Sequence, residues 1–252
     1  ATLAGRQPDR PSVQPGSFAG YLDLGLFGFT PSKVGDDAVV NISGLTDGVY
    51  TFAGQQYDRV GISSNGIALV GGGTSADASP FAQLMPDPAR PNGVLAPYWT
   101  DLDDSGPATM GVTVGELSDG VTNYLVIQWT THVFGNEANA RSFQVWIQEG
   151  TTQGIWYAYD TNAIGAPGSP DTHLVVGTEN LDGTAGSNNG LDVAPAEDYE
   201  VIATPGAPGG SLTYTLGVKG DRKGDGVLAT FLQSPLVRGT TIAVTHVPVV
   251  KP

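Results

Sequence analysis

The sequence predicts an all-β fold, an antiparallel two-sheet β-sandwich with a small three-strand β unit at the carboxy end, on three observations. The apolar residues come in short bursts rich in β-branched and aromatic side chains, as half-buried pleated strands require. The 252 residues include 36 glycines and 18 prolines, yet 40% are apolar, too many for a disordered chain, so the excess glycine and proline belongs in tight turns. No segment combines sustained helical periodicity with a capping signature.

Residues 1–16 carry Pro8, Pro11 and Pro15 among charged and small residues and read as an extended linker from something upstream. The missing initiator methionine fits a processed or excised piece. The sandwich is expected over residues 17–204. Its first strands are Ala38–Ile42, Val49–Phe52, Tyr57–Ile62 and Ile67–Val70, after which Gly71–Asn92 forms a loop that ends rich in proline. Val94–Leu102 then carries a strand into a run of acids. Beyond Val112–Val114 come three consecutive antiparallel strands, Leu125–Trp129, Phe143–Gln148 and Ile155–Tyr159. In the middle one Phe143, Val145 and Ile147 share one face, while Gln144, Trp146 and Gln148 share the other, wetter face. The glycines of Gly150–Gly154 supply the positive φ of a hairpin loop. His173–Thr178 and Tyr199–Ala203 complete the strands. At Thr204–Gly210 the composition changes as it does between domains, and residues 205–252 hold Leu212–Val218, Val227–Leu232 and Thr241–Val247. Three strands alone cannot cover an apolar sheet face, so they are expected to borrow strands from the earlier chain, with Phe18–Phe29 as the candidate.

Eleven basic against 25 acidic residues give a formal charge of −14, which disfavours nucleic acid and anionic lipid as partners. Without cysteine there is no disulfide, thiolate nucleophile or thiolate metal site. No apolar stretch is long enough for a membrane helix.

The ordered series Ser63-Ser64-Asn65-Gly66, Leu84–Asn92, Leu95–Leu102, Val126–Trp129, Phe143–Ile147 and Val176–Asn180 resembles the carboxy-terminal β-region of secreted bacterial subtilisin-like serine peptidases. It is more distantly similar to nidogen-type extracellular modules. The likeness runs from about Gly35 to Asn180, and the tail from Pro205 also resembles the segment that comes after this region in such peptidases. It implies a secreted, non-catalytic module that aids substrate engagement, stability or anchoring. Its partners would be an upstream protease domain or a protein substrate. The family's Asp-Thr-Gly, His-Gly-Thr-His and Gly-Thr-Ser-Met-Ala signatures are absent, so no catalytic residue carries over.

Each local motif also has a plainer reading. Gly73-Thr74-Ser75-Ala76 approaches a nucleophile motif, but His132, His173 and His246 all lie beyond it in the chain, against the family's order. Asp104-Ser105-Gly106 and Asp160-Thr161-Asn162 invite comparison with an aspartic dyad and read better as turns. Asp101, Asp103 and Asp104, joined by Asp77 or Asp87, are the candidate calcium ligands, set against a solvated acidic turn. Asp221–Gly226 is weaker because two cations sit between its acids. The isolated histidines carry no zinc signature. Trp146, Trp156 and Tyr98 are the candidates for a surface that binds a peptide or sugar rings, whereas Trp99 reads as core. The sequon Asn41-Ile42-Ser43 reads as incidental. The rivals to a binding module are an acid-acting β-sandwich hydrolase with paired carboxylates and a structural spacer.

Overall fold

The computed structural model describes residues 2–161, 172–213, 224–234 and 237–249, with backbone alone at 2–6, 137, 139 and from 208 onward. In chain order the strands are β1 (Thr2–Arg6), β2 (Arg10–Pro15), β3 (Val39–Ser43), β4 (Tyr50–Phe52), β5 (Gln55–Tyr57), β6 (Arg59–Ser63) and β7 (Ala68–Val70). They continue as β8 (Val94–Trp99), β9 (Leu102–Asp103), β10 (Gly111–Ser118), β11 (Asn123–Val133), β12 (Asn136–Gln148) and β13 (Ile155–Tyr159). The last are β14 (Val175–Glu179), β15 (Gly186–Asn188), β16 (Tyr199–Thr204), β17 (Pro208–Thr213), β18 (Gly224–Ser234) and β19 (Val237–Val249).

The alternating strands pair as their pattern demands. A seven-stranded sheet runs β10-β11-β12-β13-β16-β2, with β9 also on β11, and a six-stranded sheet runs β15-β14-β8-β7-β6-β3. The three consecutive strands read from the sequence are neighbours in register: Val145 sits between Ile127 of β11 and Tyr157 of β13. One core fills the space between the sheets, joining Ile62, Ala68 and Leu95 to Ile127, Trp129, Phe143, Val145 and Tyr157. The two-sheet all-β architecture is therefore the one expected.

Both outer faces are covered as well, so strands that should alternate are buried almost throughout. On the seven-stranded sheet, Tyr21–Phe29 lies over Tyr124, Val126, Trp146 and Ala158, with a single 3₁₀ turn at Leu24–Phe27 that buries Leu24. Gln128 and Gln144, the polar members of that face, bind the covering segment. Gln128 Oε1 accepts from Leu24 N at 2.9 Å and Gln144 Oε1 from Leu22 N at 3.1 Å. Trp146 is consequently 3% exposed, and the wetter side expected for it does not exist.

Two expectations about the termini fail. Residues 1–16 are not a linker: Arg10–Pro15 is the edge strand of the seven-stranded sheet, with Pro11 opposite Ala203 and Pro15 opposite Tyr199. Proline is tolerated there because one side of an edge strand has no ladder to supply. The second compact unit joins Ala1–Gln7 to Ala207–Pro252. In it β17 pairs with β1, and β18 forms a long hairpin with β19. The borrowed strand is thus Thr2–Arg6, and Phe18–Phe29 serves as a cover for the sandwich. Of the expected strand Leu212–Val218, residues 214–218 lie outside the described residues.

Candidate binding surface

The Ser63-Ser64-Asn65-Gly66 turn organises one end of the sandwich. Gly66 has φ +74°, and a Cβ there would stand 2.1 Å from the Tyr98 carbonyl oxygen, so only glycine fits. Asn65 is fully buried, and its side chain reaches three segments. Its Nδ2 donates to Asp37 Oδ1 at 2.8 Å and to Ala78 O at 3.3 Å, while its Oδ1 accepts from Leu102 N at 3.1 Å. A primary amide suits this place because it donates and accepts at once.

From this turn the Gly71–Asn92 loop folds back over the outer face of the six-stranded sheet. Met85 and Ala82 pack on Leu69, Val94, Ala96, Trp99 and Val175. The loop backbone is tied at several points. Trp99 Nε1 donates to Ser79 O at 2.9 Å, Ala82 N to Thr172 O at 3.0 Å, and Asp87 N to Glu179 Oε2 at 3.0 Å. The loop also closes on itself through Asp77. Arg90 donates Nε to its Oδ1 at 2.9 Å and Nη2 to its Oδ2 at 2.8 Å, and Thr74 N donates to the same Oδ2 at 2.9 Å. Such a bidentate fork fixes orientation better than a single ammonium contact. On this anchored backbone Phe81 is 60% exposed and Leu84 49% exposed. Trp99, read as core, is fully buried. Trp99→Phe keeps most of the packing but frees the Ser79 carbonyl; chemical unfolding is expected to show a loss of about 1 kcal/mol and faster proteolysis within the loop.

The acids do not gather as the sequence implied. Asp103 is consumed by its own turn, accepting from Ser105 N and Oγ, which together with His132 and Lys33 hold its carboxyl below the ordinary value despite burial. Asp104 Oδ2 accepts from Val34 N at 2.6 Å and Gly35 N at 3.4 Å. Asp77 is paired with Arg90, and Asp87 Oδ1 takes the N–H of Ala89. Of the proposed ligand set, among the described residues, Asp101 alone joins a group of three acids close enough to share an ion, and its partners there are Asp36 and Asp37. The three carboxylates offer oxygens within 4.8 Å of one another, a set of hard donors of the kind calcium takes. Burial, then Asp37, Asp36 and Asp103, raise the Asp101 carboxyl from 3.8 to about 6. An Asp-Asp pair after Gly35 was the available signal for this corner; its meeting with Asp101 depends on the Asn65 turn.

The aromatic candidates separate in the same way. Tyr98 is fully buried, stacked on Phe143 with centroids 5.2 Å apart, and its hydroxyl accepts from Arg141 Nε at 2.8 Å. Trp146 donates its Nε1 to Gln144 Oε1. Neither presents a face to a ligand, which corrects their assignment to a surface. Trp156 is half-buried, with Phe18 stacked on it at 4.8 Å.

The remaining motifs resolve into scaffold. Ser75 lies in a short 3₁₀ turn, and among the described residues no serine hydroxyl bonds an imidazole. His132 Nδ1 faces Asp103 O, and His173 Nδ1 pairs with Asp192 Oδ2 at 2.9 Å. Asn162 of the second acidic turn and Asp221-Arg222-Lys223 lie outside the described residues, as does the side chain of His246. The sequon amide of Asn41 is engaged, donating to Gly73 O and accepting from Gly73 N. Sequence reasoning missed Glu179, which is fully buried with Oε2 on Asp87 N and Oε1 without a partner. Burial, opposed by that N–H and joined by Asp87 and Asp182, raises its carboxyl from 4.5 to about 8.

The fold and the surface together define an all-β sandwich module, covered on both faces and bearing an anchored loop that exposes two large apolar side chains. The profile of the NIDO-related family matches residues 33–216, most of the chain, and the protein belongs to this nidogen-related family. This match bears out the nidogen-like part of the resemblance, and domains of the family are typically extracellular and are not a known catalytic class. No curated protein and no solved structure matches the chain. Among the described residues no helix is long and apolar enough to cross a membrane.

Proposed function

We propose that this chain is the non-catalytic accessory module of a secreted subtilisin-like serine peptidase, and that it holds protein substrate or the catalytic domain through the Gly71–Asn92 loop. The observation that carries this reading is the exposure of Phe81 and Leu84 on a backbone tied to the sheet by Trp99, Thr172 and Glu179. Apolar side chains that a rigid scaffold holds in solvent suit recognition, because they need little ordering on binding. The ordered motif series and membership of a family of extracellular modules support the same reading.

The test is deletion of the module from the parent peptidase, and separately the Phe81→Ser, Leu84→Ser double variant. Both are expected to lower kcat/KM on casein severalfold and to leave cleavage of a short chromogenic peptide unchanged. A parent reading frame without a peptidase domain, or equal rates on casein, would remove the proposal. The alternative of an acid-acting hydrolase draws on the three facing carboxylates at Asp36, Asp37 and Asp101. Turnover of casein or polysaccharide by the isolated chain at acid pH, abolished in Asp101→Asn, would establish it instead.

A further inference from the structure

The six-stranded sheet ends at β3, and among the described residues no strand pairs with its outer edge. Ser64 N donates to Ala38 O, and Val40 and Ile42 stand opposite Ile62 and Val60. In an antiparallel ladder the bonded pairs alternate, so Ala38, Val40 and Ile42 turn their N–H and C=O groups toward β6. Those of Val39, Asn41 and Ser43 face outward, and among the described residues nothing pairs with them. The other margins of the sandwich each carry at least one bond on their outer side. Next to β15 the chain is joined to β2 through Val13 N and Ser187 Oγ, and β10 is bridged by Ser32 at Val112.

Exposed edges are ordinarily blunted by lysine, proline or a bulge. Val39-Val40-Asn41-Ile42-Ser43 has none of these, and Val40 is 39% exposed. The edge is also held still: the Asn41 amide clamps its outer face to Gly73 of the apolar loop. At its amino end stand Asp36 and Asp37, with Asp101 beside them.

We propose that the β3 edge is a docking site for an extended polypeptide segment that adds a strand antiparallel to Val39–Ser43 and carries basic residues at its carboxy-terminal end, against Asp36, Asp37 and Asp101. Main-chain pairing would supply affinity and the acidic corner would fix direction, because an antiparallel strand brings its carboxy-terminal end to the start of β3. Charge decides the occupant. A second copy would bring another chain of net charge −14 to the same edge, whereas a basic segment is attracted to it. The inference goes beyond the peptidase reading and does not need it, since it rests on β3 and the acidic corner and not on Phe81 or Leu84.

The probe is a short synthetic peptide of alternating valine and threonine with two arginines at its amidated carboxy end, titrated against the full chain and followed by amide hydrogen exchange. Protection is expected at Val39, Asn41 and Ser43. Moving the arginines to the amino end, or Asp36→Asn with Asp37→Asn, is expected to weaken binding about tenfold. N-methylation of alternate peptide amides, which leaves the protein untouched, should weaken it about fivefold or more for each bond lost. The Phe81→Ser, Leu84→Ser variant should bind the peptide as the parent chain does. Binding indifferent to N-methylation, protection confined to other strands, or protection of the same amides by self-association without peptide would overturn the proposal.

Discussion

Asn65→Ala is expected to destabilise the sandwich by about 3–5 kcal/mol, read from chemical unfolding midpoints at constant slope. The side chain is fully buried and makes three hydrogen bonds, to Asp37, Ala78 and Leu102. Removing it orphans the Leu102 N–H and the Ala78 carbonyl in a space from which water is excluded, and an unpaired buried group costs more than the bond itself contributed. The loss should be felt locally as well, because the same amide ties the acidic corner to the apolar loop. Asn65→Asp is nearly isosteric, yet it replaces the donor facing Asp37 with a like charge. It is expected to be at least as damaging near neutral pH and partly relieved by acid. A variant whose stability stays within about 1 kcal/mol of the parent would show that the turn is held by Gly66 and its neighbours alone.

Stability should also depend on pH through Glu179. Its folded value of about 8 lies above the unfolded 4.5, so the folded state retains a proton that the unfolded chain releases. Stability is therefore highest on the acid side of this window and falls as pH rises from 4.5 through about 8. The full effect is on the order of 5 kcal/mol. Glu179→Gln keeps the shape and the acceptor for Asp87 N while removing the charge. It is expected to flatten the slope, with a gain of several kcal/mol at alkaline pH and little change near the unfolded value. Unfolding curves collected across the window check this, and an unaltered slope in the variant would assign the dependence to other acids. Glu149 contributes in the same direction, its carboxyl raised by burial and by Glu116.

Much of the fold was legible because strand periodicity is local. The run Ile155–Tyr159 has the predicted bounds, and Leu125–Trp129 and Phe143–Gln148 lie inside longer strands of the same pairing. What alternation could not show is that polar positions were also covered. Gln128 and Gln144 look solvated in one dimension, but in three they hydrogen-bond the segment that buries Trp146. The prolines near the amino end marked a tether by composition, and the edge of a sheet accepted them as a strand. The candidate site was half visible: the loop and acidic run were found, whereas the Arg90–Asp77 fork and the meeting of Asp36, Asp37 and Asp101 were not.

By itself the sequence determined an all-β chain with tight turns, no thiol chemistry and a strongly acidic surface, because composition and two-residue alternation act over a few positions. Tertiary structure alone decided which acids face one another, which indoles reach solvent and which strand edge stays unpaired. Those outcomes depend on contacts between segments tens of residues apart, where packing and hydrogen-bond satisfaction outweigh any local preference.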